Sequence, residues 1–119
     1  MLSREDEIWN RAALKAGGQN PAEGDVHLAS ALHLHSLAMN GGVLHALQVL
    51  TDQQRLAAID GYRYFGFHKV ADLLSEPFAD TDEDDKRLEN AYSIEIPLDE
   101  TLFNAFCVKY AVEPGAFAA

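Results

Sequence analysis

Residues 20–42 read NPAEGDVHLASALHLHSLAMNGG, and this stretch decides the fold. Asn20-Pro21-Ala22-Glu23 is a helix-start signal, since Asn caps a helix and Pro is tolerated at its first position. At about 100° per residue, Leu28, Ala31, Leu32, His35, Ala38 and Met39 share one face. His27, Ser30, His33, Ser36 and Asn40 fall on the other, where Leu34 and Leu37 intrude. A helix that is apolar on two sides packs on two sides, so this one is expected at the centre of the domain. Asn40-Gly41-Gly42 should end it, because both residue types tolerate positive φ.

Working outward, every neighbouring segment carries helical punctuation. Ser3 with Asp6 resembles a capping box, Ile8, Trp9, Ala12, Ala13 and Ala16 recur at helical spacing, and Gly17-Gly18 should stop that helix. Val43 to Leu50 is a short apolar helix or turn. Thr51-Asp52-Gln53-Gln54 is a capping box opening a helix with Leu56, Ile59, Tyr62 and Arg63 on one side. Gly61 inside it costs up to ~1 kcal/mol relative to Ala. Gly66 stops the helix, and Phe67 to Ser75 forms another that ends before Pro77. Asp80 to Asp85 leads into a helix with Leu88, Ala91 and Tyr92 inward. Ile94-Glu95-Ile96 alternates, which is too short to separate helix from strand. Asp99 is the expected cap of a last helix that turns Leu102, Phe103, Phe106, Cys107 or Val108, and Tyr110 inward, and Pro114-Gly115 ends it. The expectation is an all-α single domain over residues 1–119, with six or seven helices in an orthogonal or irregular bundle.

Charge limits the partners. The 119 residues hold 19 acidic and 9 basic side chains, a formal charge of −10. Such a surface repels phosphate, which argues against direct nucleic-acid binding and against anionic membranes. A basic protein partner, a neutral small ligand, or solubility alone is what remains. The single cysteine, Cys107, allows no intramolecular disulfide and fits a reducing compartment. The acidic start of the chain lacks the pattern of a signal peptide, and no apolar run approaches the ~18 residues that span a bilayer. A cytoplasmic protein with a buried structural Cys107 is expected.

The five histidines invite a metal site, but His33 and His35 are two apart and point about 200° from one another on a helix. No histidine pair has i, i+4 spacing, so no metal or other cofactor is expected, and His35 reads as a core histidine with a hydrogen-bond partner. Asp80-Thr81-Asp82-Glu83-Asp84-Asp85 departs from a calcium loop, with Asp85 where the turn needs Gly and Ala91 where the bidentate Glu belongs. The glycine pairs follow helices rather than strands, and no nucleophile motif is present, so no enzyme is expected. Tyr62, Tyr64, Phe65 and Phe67 crowd around Gly66 and should cover the core, with a dimer contact as the alternative.

The order of these signals is also familiar. Asn40-Gly41-Gly42 follows a long apolar helix; a capped helix, Phe65-Gly66 and Leu73-Leu74-Ser75-Glu76 come next. An acidic stretch then precedes Leu88 and Tyr92, and Leu98-Asp99 opens an aromatic-rich helix closing at Tyr110, before Pro114 and Phe117. From about Asn40 to Phe117 the chain resembles a bacterial family of small acidic helical proteins named after a DNA-mimic member. Family members commonly carry an aromatic after Asn-Gly-Gly, where Val43, Leu44 and His45 stand here. The resemblance implies an all-helical domain, possible dimerisation, and binding of a helix-turn-helix regulator through carboxylates that imitate DNA phosphates.

Three functional expectations follow. The first is a non-enzymatic domain that masks a basic partner, such as a DNA-binding regulator, through Asp80, Asp82, Glu83, Asp84, Asp85 and Glu89. The second is a small-ligand or metal-binding module built on histidines. The third is a dimeric scaffold without chemistry. Asn40, Gly41 and Gly42 are expected to be structural, ending the long helix and turning the chain.

Overall fold

The computed structural model describes residues 2–119, and every regular element among them is helical. Helix α1 spans Arg4–Lys15, α2 Glu23–Gly41, α3 Val43–Val49, α4 Asp52–Tyr64, α5 His68–Ser75, α6 Asp82–Glu95 and α7 Asp99–Val112. A 3-10 turn, Pro114–Ala116, follows. The all-α expectation holds, and the described residues form seven α-helices.

The two-sided apolar pattern of α2 places it at the centre, where it packs against α1, α3 and α4. Leu28, Ala31, Leu32, Leu34, His35 and Ala38 are all buried, so the intruding Leu34 marks a second packing face. Gly61 explains how closely α4 approaches. A Cβ at that position would stand 2.4 Å from the backbone oxygen of His27. The helix propensity lost at Gly61, about 1 kcal/mol, is the condition for this backbone-to-backbone contact. The contact also sets the rotation of α4. Its buried arc is Ala58, Ile59, Gly61 and Tyr62, and Leu56 falls more than about 90° from the middle of that arc. Leu56 is therefore 59% exposed, not inward as its spacing suggested.

Several helix ends follow the sequence signals and several correct them. Ser3 Oγ accepts the Asp6 N–H at 3.1 Å. Thr51 and Gln54 exchange both bonds of a capping box, at 3.1 and 3.0 Å. Asn20 does not cap α2. The cap position is Ala22, and its N–H donates to Asp25 Oδ2 at 3.0 Å from inside the first turn. Asp99 does not cap α7 either; Leu98 holds the cap position, and the Asp99 carboxylate turns to His35 instead. Helix α1 closes one residue before its glycines, with Ala16 itself left-handed at φ 51°. Ala13 and Ala16, expected inward, are exposed. Ile94-Glu95-Ile96 resolves as the end of α6, with Ile96 turned into the core. On α7, Leu102 and Phe106 are buried, Cys107 is half-buried, and Val108 points outward.

The core is aromatic at its α7 side. Phe106 is fully buried and meets Trp9, Phe65, Phe103, Tyr110 and Phe117. Around Gly66, Tyr62 is fully buried while Tyr64, Phe65 and Phe67 are partly buried against the core.

The tail folds back on the first two helices. Asp25 has no exposure at all. Its carboxylate accepts from Arg11 Nη2 at 2.9 Å, from the Ala22 N–H, and from the Ala118 N–H at 2.7 Å. Arg4 and Arg11 donate in turn to the Ala118 carbonyl.

Candidate functional site

The acidic stretch divides into two groups. Thr81 caps α6, its Oγ1 accepting the Asp84 N–H at 3.2 Å. Asp84 is occupied at home: its Oδ2 accepts the Ala79 N–H at 2.6 Å, and Arg87 Nε approaches Oδ1 at 3.4 Å. These donors, the Ala79 amide first and Arg87 after it, hold its carboxyl below the usual carboxylate range. Glu89 is occupied as well. It is half-buried and its Oε1 accepts the Val43 N–H, the first free amide of α3. The remaining four, Asp80, Asp82, Glu83 and Asp85, are exposed. Among the described residues, no Lys, Arg or His nitrogen lies within 4.0 Å of their carboxylates.

The Asn40-Gly41-Gly42 turn meets this same helix. Only Gly42 has positive φ, at 95° with ψ 161°, a region other residues rarely enter. A Cβ there would lie 3.0 Å from Glu89 Oε1 and 3.6 Å from Asp85 Oδ1. Gly41 is still helical, and a Cβ on it would press against the His45 ring at 2.5 Å. Asn40 is the exposed penultimate residue of α2. The turn and the α6 acids, far apart in sequence, form one joint.

A second polar assembly lies inside the molecule. His35 Nε2 is 2.7 Å from Asp99 Oδ1, and Nδ1 is 2.7 Å from the Tyr92 hydroxyl. Tyr92 and Tyr62 hydroxyls are 2.6 Å apart, and the Tyr62 hydroxyl reaches the Ala31 carbonyl at 3.4 Å. The direction of the chain follows from what each group can give. An ionised carboxylate only accepts, so His35 donates from Nε2; each hydroxyl has one proton to give, so that of Tyr62 serves either the Tyr92 oxygen or the Ala31 carbonyl. Burial raises both phenols well above their usual range, with the neighbouring tyrosine adding to the effect at Tyr62, so both keep their protons as donors. The expected core histidine is thus found, with partners that lie 57 and 64 residues away in sequence.

Asp99 is the outer end of this chain. Its side chain is 77% exposed, whereas that of His35 is 8% exposed. The pair opens on a groove of about 770 Å³ between α1 and α2, floored in part by Trp9 and Ala12 and bordered by His33, Met39 and Asn40. His33 and His35 border it together, although they point to different sides of α2. The other histidines lie elsewhere; His27 stacks on Tyr64 with ring centroids 4.4 Å apart. Among the described residues no three His, Cys, Asp or Glu side chains gather as a metal site. None of the helices is long and apolar enough to cross a membrane. The Cys107 thiol is pushed up, by burial first and by Glu5 and Asp6 after it, which lowers its thiolate content.

Comparison of the chain with family models, curated proteins and solved structures returned no match.

Proposed function

We propose that the chain is a non-enzymatic acidic binding domain that masks a basic protein partner with the start of α6. The observation that carries this reading is the set of four exposed carboxylates, Asp80, Asp82, Glu83 and Asp85, with no Lys, Arg or His nitrogen within 4.0 Å among the described residues. Asp84 and Glu89 serve the same face in another way. By fixing the Ala79–Thr81 approach and the α3–α6 joint, they hold the free acids in place before a partner arrives.

The class of partner follows from charge density. Asp82, Glu83 and Asp85 lie within about 4.5 Å of helix axis. That density is close to that of B-DNA, with one charge per ~1.7 Å. A DNA-reading protein surface is therefore the partner whose charge pattern suits this face, in keeping with the DNA-mimic resemblance of the sequence.

Affinity purification from the native cell at low and high salt tests the proposal. A basic protein should be retained at low salt and lost at high salt. It should also be lost when Asp80, Asp82 and Asp85 become Asn and Glu83 becomes Gln. Retention of the same partners by that quadruple variant would remove the reading.

A further inference from the structure

None of the acids proposed above to meet a protein lines the groove between α1 and α2. At about 770 Å³ it has the size of a small-molecule site. Its walls are mixed: Trp9, Ala12, Ala13 and Met39 supply apolar surface, and Asp99 supplies a carboxylate. Asp99 has no Lys or Arg within 4.0 Å among the described residues, and its one partner is His35, through Oδ1. His35 engages Oδ1 alone, which leaves the other oxygen, Oδ2, on a 77% exposed side chain open to a ligand.

We propose that this groove binds a small organic ammonium, its apolar body against Trp9, Ala13 and Met39 and its nitrogen on Asp99. The charge decides for a cation. Asp99 is the acid that borders the groove, on a protein whose overall charge is −10. The half-turn dipole of α7 opposes a cation by a fraction of a charge, less than the full charge of the carboxylate. The Tyr62–Tyr92–His35 chain makes the acceptor a built one. Because Tyr92 occupies Nδ1, the donor faces Asp99 from Nε2, and the carboxylate is held in one orientation before the ligand binds.

Trp9 is the single tryptophan of the chain and borders the groove, so its emission reports occupancy directly. The probe is 2-phenylethylammonium, titrated beside the neutral 2-phenylethanol. The ammonium should change Trp9 emission saturably and bind about tenfold or more tighter than the alcohol, as a charge-assisted hydrogen bond provides. Asp99→Asn keeps an oxygen for His35 and removes the charge, so it should abolish that preference. Ala13→Phe, at an exposed position, should fill the groove and remove the response to both probes. Asp82→Asn should leave both titrations unchanged. Equal binding of ammonium and alcohol, no saturable response to the ammonium, or an ammonium preference surviving in Asp99→Asn would each overturn the proposal.

Discussion

Asp25 and Asp84 carry the same side chain at the same place, the third residue of a helix, and each accepts a backbone N–H from just before its helix. There the likeness ends. Asp25 is fully buried and joins α1, α2 and the tail through Arg11 and the Ala118 amide. Asp84 lies at the surface and ties only its own helix start, with Arg87 from its own next turn. An acid at a helix start is favoured locally in both cases, and the difference lies in what the rest of the chain brings to it. Twelve of the nineteen carboxylates fall in first turns of helices, so most of the negative charge has this local origin. Two of the twelve, Asp25 and Asp99, also accept from distant residues, as does Glu89 from the middle of α6, and these three hold the architecture.

The contrast can be broken by substitution. Asp25→Ala should cost about 3–5 kcal/mol in urea unfolding, since it strands the partly buried Arg11 and two amides. Asp84→Asn should cost far less, and equal losses would show that the two positions do not differ as described. Tyr92→Phe should cost about 1–3 kcal/mol, because it leaves the buried His35 Nδ1 without its partner and the Tyr62 hydroxyl with only the Ala31 carbonyl at 3.4 Å. Gly42→Ala should cost about 1–3 kcal/mol through its backbone conformation alone. Unchanged stability there would separate the Gly42 turn from the α3–α6 joint. Thr81→Ala should cost about 0.5–2 kcal/mol, the ordinary loss of a cap.

A pH series sharpens the same contrast. Tyr62 and Tyr92 have phenol pKa values raised by burial, so the folded chain holds protons that the unfolded chain releases above about pH 10. Their contribution to stability is complete below that pH and declines as pH rises through the raised values. Tyr92→Phe should flatten the alkaline decline measured by denaturant titration. Asp84 has the opposite sign. Its contribution is present above the unfolded carboxylate range and fades as pH falls through its lowered value.

The fold was legible because its signals are local. The two-sided pattern of residues 23–41, the Ser3 and Thr51 caps, and the Gly and Pro stops each act within a few residues. Where local reading failed, a distant group intervened. Asn20 gave way as a cap to Asp25, whose carboxylate is fixed by Arg11 and Ala118. Asp99 gave up its cap to meet His35 across 64 residues. Leu56 was displaced by the contact that Gly61 permits with His27. The interior chain from Asp99 to Tyr62 had half a signal, a histidine on the apolar face of α2; its tyrosines read simply as core. The groove had none, since it is made by the crossing of α1 and α2.

The clasp around Ala118 has one more consequence, for the order in which the molecule comes apart. Arg4 and Ala118 are separated by 114 positions, yet they are bonded neighbours. The last residues of a domain usually fray first, but here the Ala118 amide is held by a carboxylate with no access to water. Its hydrogen should exchange with solvent on the slow timescale of global opening. Loosening of either α1 or the Ala118 segment leaves groups of the other without their partners.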